Sequence, residues 1–263
     1  MQLIRNVISK HQNFLVIFAI ILGISGCVGD GNTNTQVDIS NVEKNTSCKA
    51  LLVIAEDRSG STIDVRKLNN LQYKGLLENF CKHFHGMVAV RIIGNPEPAD
   101  RDFFRLNIEA PYVSVISPEG GTLDDEALAR TKNIAIQKEN NNIEKRNNNT
   151  LDSFIQNIVI PKIEGYQPAA NKDVTNITDA LHHIQMLADE PDWADARIMV
   201  VFISDGLHDA DTKVPVFAPS HPVDVFLVGT ENEKPFQNIP GEKIHRFESV
   251  EGLIHHLNNQ TCK

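Results

Sequence analysis

Three apolar runs constrain the fold most: 50–55 (ALLVIA), 198–203 (IMVVFI) and 223–228 (VDVFLV). A strand with one face in water alternates apolar and polar residues, and these runs do not. Both of their faces must be covered, as in the middle of a parallel sheet. A fourth strand is read at 87–93 (MVAVRII), and 103–108 returns antiparallel to it across a turn at 94–102 that holds Pro96 and Pro98. Helical spacing fills the intervals. Val65, Leu68, Tyr73, Leu76, Leu77, Phe80 and Phe84 share a face, as do Ile177, Ala180, Leu181, Ile184 and Leu187, with Pro191 marking the end. Val250, Leu253, Ile254 and Leu257 form a last helix, with Ser249 as N-cap. Strands alternating with helices specify an α/β fold, here an open, mostly parallel sheet with helices on both faces and one antiparallel edge strand.

The stretch 122–160 departs from this rhythm. Thr122 and Asp125 make a capping pair, and Leu151, Phe154, Ile155 and Ile158 mark a packed second half. Between them 139–149 (ENNNIEKRNNN) is polar on every side. Two readings are open, a projecting helical hairpin and a solvated break. Asparagine runs favour turns, so the break is preferred. A helical insertion at about 118–170 is expected.

The first residues form a targeting segment. Arg5, Lys10 and His11 precede the apolar run 14–22 (FLVIFAIIL), which falls short of the roughly 20 apolar residues of a membrane span. A basic front, a short apolar core and a small-residue exit make a secretory signal. Its exit, Ile24-Ser25-Gly26-Cys27, resembles the lipobox of bacterial lipoproteins, in which the chain is cut before a cysteine that carries diacylglycerol. The resemblance implies a signal peptide at 1–26, lipid on Cys27, and a place in the bacterial cell envelope, facing the periplasm or the exterior. Val28 is not the Asp that holds many such proteins at an inner membrane. Residues 28–47 are rich in Gly, Asn, Thr and Ser and bury too little to offset ordering entropy, so 27–47 reads as a flexible tether. The remainder, 48–263, suits one domain.

A net charge of −9 argues against nucleic acid, whose phosphates need clustered Lys and Arg. Outside the cytoplasm disulfides persist. Cys48 opens the folded part and Cys262 nearly closes it, which makes Cys48–Cys262 the preferred pair; spacing alone leaves the connectivity open.

Chemistry gathers at three places. Asp57-Arg58-Ser59-Gly60-Ser61 follows the first strand, Asp173-Val174-Thr175 precedes the helix that begins near Asn176, and Ser204-Asp205-Gly206 follows the 198–203 strand. Each alone reads as a turn or an N-cap. Together they differ, because open α/β sheets bind ligands outside the carboxyl ends of strands where the strand order reverses. With those two strands adjacent at the reversal, Asp57 and Asp205 lie side by side. Neighbouring carboxylates repel unless a cation or a proton intervenes. With the hydroxyls of Ser59, Ser61 and Thr175 they form an all-oxygen set for a hard cation, Mg²⁺ first, then Mn²⁺ or Ca²⁺.

Asp57-x-Ser59-x-Ser61, Thr175 and Asp205, in this order and on these elements, resemble the metal-ion-dependent adhesion site of von Willebrand factor A domains. The resemblance covers about 48–263 and includes 175–181 (TNITDAL), which is similar to that family's threonine loop and following helix. It implies that Ser59 and Ser61 ligate through hydroxyls, that Thr175 ligates directly or through water, and that Asp57 and Asp205 hold metal-bound waters or ligate. It also implies an open coordination position filled by an acidic side chain of a protein partner. Three features depart from the pattern: Glu56 stands where the family has an apolar residue, Val174 where Gly is frequent, and the 118–170 stretch is long. Strand alternation turns Glu56 away from the metal side.

Other chemistries are less well supported. The chain has ten histidines but no H-E-x-x-H, and the neighbours His182-His183 and His255-His256 diverge by about 100° on a helix, which reads as surface rather than zinc. His208, Asp209 and Asp211 read as a solvated acidic loop. There is no G-x-S-x-G and no P-loop. A metal-dependent hydrolase using Asp57 and Asp205 lacks a placed general base, so no enzymatic activity is expected. An envelope scaffold with a vestigial metal site is the other alternative.

Overall fold

The computed structural model describes residues 37–45, 48–58, 67–94, 103–116, 121–166, 176–205 and 216–260. The chain divides into two units, Met1–Val37 and Asp38–Lys263, and the fold is that of the second.

Six strands form one sheet in the order β3-β2-β1-β4-β5-β6. They are β1 (Lys49–Asp57), β2 (His85–Ile93), β3 (Phe104–Ile108), β4 (Arg197–Ile203), β5 (Val223–Val228) and β6 (Ile244–Phe247). Only the β2–β3 pair is antiparallel. This is the open, mostly parallel sheet with one antiparallel edge strand that the apolar runs require. The runs at 50–55, 198–203 and 223–228 occupy its middle and are buried throughout. β6 was not anticipated. It is four residues long and half-exposed at the sheet edge, so it carries no apolar run.

Alternate residues feed two cores. Leu52, Ile54, Val201 and Phe226 face a layer formed by α1 (Asn70–His83), the end of α2 (Leu123–Phe154) with its π-helical extension Ile155–Glu164, and α4 (Val250–Asn258). Leu51, Val53, Val200 and Val225 face α3 (Ile177–Ala188) and Trp193. Helices therefore cover both faces, which is why the central strands read as unbroken apolar runs.

α2 is one continuous helix through 139–149, neither the preferred break nor a hairpin. The sequence reading judged its asparagines by local turn preference. In the fold, Asn133, Asn140 and Asn147 turn to one side and hydrogen-bond the backbone of residues 109–115. Thr122 and Asp125 form the expected reciprocal cap.

Residues 38–45, assigned by composition to the tether, also have partners. Lys44 bridges Tyr112 in antiparallel fashion, Asn45 N–H donates to the Pro111 carbonyl, and Val113 N–H to the Glu43 carbonyl. Backbone pairing adds there to what the few apolar side chains, Ile39 and Val42, can bury. Cys48 is disulfide-bonded and Cys81 is free. The partner of Cys48 lies outside the described residues, as do Cys27 and Cys262. Among the described residues no helix is long and apolar enough to cross a membrane.

Candidate metal centre

The strand order reverses between β1 and β4, which are parallel neighbours. The register between β1 and β4 ends at Glu56 and Ile203, so the next residues, Asp57, which closes β1, and Ser204, which follows β4, come side by side at the carboxyl edge. Ser204 Oγ donates to Asp57 Oδ2 at 2.8 Å. Asp57 is completely buried and Asp205 is 5% exposed. The carbonyl of Asp205 accepts from Glu231 N–H at 3.0 Å, which ties it to the chain leaving β5. That chain turns at Gly229, whose φ of 64° is open to glycine at little cost. Two carboxylates thus reach the carboxyl edge from adjacent strands at the switch point, as expected from the sequence.

Glu56 points to the opposite face of β1, towards α1. Its carboxylate accepts Leu68 N–H at 2.7 Å, accepts the Tyr73 hydroxyl, and pairs with Arg58 at 2.7 Å. Arg58 in turn donates to the Leu68 carbonyl at 2.6 Å and to the Glu164 carbonyl at 3.5 Å. Glu56 and Arg58 so engage both backbone polar groups of Leu68, just before the Asn69 cap of α1. Burial raises the Glu56 carboxyl above its ordinary pKa, with Arg58, Tyr73 and Leu68 opposing, and burial raises the Tyr73 phenol as well. The residue that departs from the family pattern serves as the fastening of α1.

On the other face α3 begins at the same edge. Asn176 caps it, its side chain accepting Asp179 N–H at 3.1 Å. Arg91, 2% exposed on β2, donates to Asp179 at 2.5 Å. The start of this helix, directly after Thr175, is thereby pinned to the sheet. Ser204, Arg91 and the Glu56–Arg58 pair were not singled out by the sequence. Ser204 and Arg58 lay inside quoted motifs but were read as turn residues. Glu56 and Arg58 are two residues apart, yet their shared partner Leu68 lies beyond the motif, and Arg91 and Asp179 are 88 positions apart, too far for any motif to show.

Ser59, Ser61 and Thr175 lie outside the described residues, as do His208, Asp209 and Asp211. Among the described residues no group of three or more His, Cys, Asp or Glu side chains could hold a metal. A zinc-type cluster would take that form; the expected set does not, because it has two carboxylates and otherwise neutral hydroxyls. His182 and His183 meet edge to face, and His256 packs against Phe226 and His245. The oxygen-only chemistry at the ends of β1 and β4 fits a hard divalent cation and not a soft one.

No protein-family model matches the chain, and no curated protein does. Among solved structures it is similar to the manganese-loaded Plasmodium vivax TRAP protein, at 14% identity and a TM-score of 0.38, over 81% of this chain and 73% of that one. The site described above stands on its own residues.

Proposed function

We propose that the chain is a membrane-anchored, von Willebrand factor A-like binding module that captures a protein partner through a divalent cation. One observation carries this reading: Asp57 and Asp205 leave adjacent parallel strands at the point where the strand order reverses, with Ser204 hydrogen-bonded to Asp57. In the proposal Asp57, Ser59, Ser61, Thr175 and Asp205 hold Mg²⁺, with Mn²⁺ or Ca²⁺ as substitutes. The cation supplies an electrophilic position for an outside carboxylate. The protein's own part is to fix the oxygens: Ser204 orients Asp57, Glu231 N–H holds the backbone at Asp205, and the Arg91–Asp179 pair seats the helix after Thr175. Few anionic ligands leave the cation able to attract an acidic side chain of a partner. Lipid on Cys27 would hold this module at the bacterial envelope, since two acyl chains suffice for stable anchoring, and Cys48–Cys262 would clasp the domain.

The test is calorimetric titration of Mg²⁺ into the wild type and Asp205→Ala. One saturable ion, lost in the variant with an unchanged melting transition, is the expected result. Equal binding by both proteins would remove Asp205 from the site and the proposed mechanism with it.

A further inference from the structure

The asparagines of α2 do more than tolerate a helix. Asn133 donates to the Val115 carbonyl at 2.9 Å and accepts Val115 N–H at 2.8 Å. Asn140 does the same with Tyr112, at 3.0 and 2.7 Å, and Asn147 with Glu109, at 3.1 and 2.9 Å. The asparagines recur every seven residues and their partners every three. Seven helical residues rise about 10.5 Å and three extended residues span about 10 Å, so the two repeats stay in step. A primary amide has one acceptor oxygen and a donor nitrogen side by side, and it meets the N–H and C=O of a residue in extended chain as another strand would. Such a ladder reads backbone and is indifferent to side chains.

A second row stands one residue further on. Asn141 and Asn148 are also seven apart and exposed, and their side-chain amides make no hydrogen bond to any described residue. They line a cleft of about 970 Å³ between α2 and α1, at the amino-edge end where Cys48 leads into β1 and His85 opens β2. The cleft is continuous with the occupied ladder, since Asn140, Asn147, Glu109 and Pro111 border both. Its floor includes Phe84, Ile143 and Leu151. Its charges are mixed: Lys82 stands with Glu144, and Lys74 is taken up by Asp152 at 3.2 Å and Glu78 at 3.7 Å. Such a lining selects neither an anion nor an apolar ligand.

We propose that this cleft binds an extended polypeptide segment of a partner protein, its backbone held by Asn141 and Asn148 as residues 109–115 are held by the neighbouring row. The site is distinct from the candidate metal centre at the carboxyl edge and does not depend on it.

Gly75 supplies a clean probe. It lines the cleft, and a Cβ added there meets nothing within 4 Å. Glycine is also a poor helix former, so Gly75→Phe fills the cleft without opposing α1. The experiment selects a displayed library of random dodecapeptides on the mature full chain, then measures the selected peptides against Gly75→Phe and the double variant Asn141→Ala/Asn148→Ala. Peptides that bind the wild type and lose on the order of tenfold in affinity per asparagine removed are expected. Gly75→Phe should abolish the binding, and N-methylation of the clasped peptide nitrogen should weaken it. Failure to enrich any peptide, or enriched peptides indifferent to both variants and to N-methylation throughout, would overturn the proposal. Melting curves of both variants identify any loss due to unfolding, and Gly75→Phe leaves every hydrogen bond of the described ladder intact.

Discussion

Glu56 and Asp57 are consecutive, both wholly buried, and turned to opposite faces of the sheet. On the α1 face Glu56 meets a guanidinium, a phenol and a backbone N–H, a complete internal set. On the other, Asp57 meets the hydroxyl of Ser204 at the carboxyl edge, where the strand order reverses. Burial alone does not distinguish a structural carboxylate from a candidate ligand. The partners and the place in the topology do. Glu56 belongs to the packing of α1, while Asp57 belongs to an edge where open sheets place ligands.

Removing the structural carboxylate should have the largest effect. Glu56→Ala leaves Arg58 buried without its counter-charge and frees Leu68 N–H, so a loss of about 3–5 kcal/mol is expected in denaturant unfolding. A loss below about 1 kcal/mol, within the range of a surface pair, would erase the contrast between the two faces. A smaller effect is expected where the partners are neutral. Asn140→Ala removes both hydrogen bonds to Tyr112 and should cost about 1–2 kcal/mol. Faster hydrogen exchange at the Tyr112 amide should accompany it, and unchanged exchange would mean that the ladder does not hold this segment. The smallest effect belongs to Glu109. Hydrogen bonds from Arg146 lower its carboxyl pKa in the folded state. Its contribution is therefore present above the unfolded carboxyl pKa and lost as pH falls through the lowered folded value. Because Glu109 is well exposed, solvent screening holds this to a few tenths of a kcal/mol. Glu109→Gln should flatten the acid limb of the stability profile by that amount, and an unaltered limb would deny the pair any role.

The same contrast separates what the sequence could and could not show. The central strands were legible because burial on both faces leaves unbroken apolar runs; the adjacency of 50–55 and 198–203 entered the sequence reading only as a condition, and the sheet order meets it. Alternation was enough to turn Glu56 away from the Asp57 face, though not to find its partners Arg58, Leu68 and Tyr73. β6 was illegible because a short, half-exposed edge strand has no such signature. α2 was misread for a different reason. Asn133, Asn140 and Asn147 repeat every seven residues, but Asn141, Asn142, Asn148 and Asn149 hide that period, and local preference then favours a turn. What settles the helix is a segment at 109–115, remote in sequence, whose peptide groups need the amides. Of the candidate ligands, Asp57 and Asp205 occupy neighbouring strand ends; Ser59, Ser61 and Thr175 fall outside the described residues.

The most direct measurement is a Mn²⁺ titration followed by electron paramagnetic resonance on the wild type, Asp57→Ala and Glu56→Gln. One bound ion in the wild type, retained in Glu56→Gln and lost in Asp57→Ala while that variant still melts cooperatively, is the predicted result. Equal Mn²⁺ binding by the wild type and Asp57→Ala, or none by the wild type at millimolar metal, would contradict the assignment of Asp57 to a metal site.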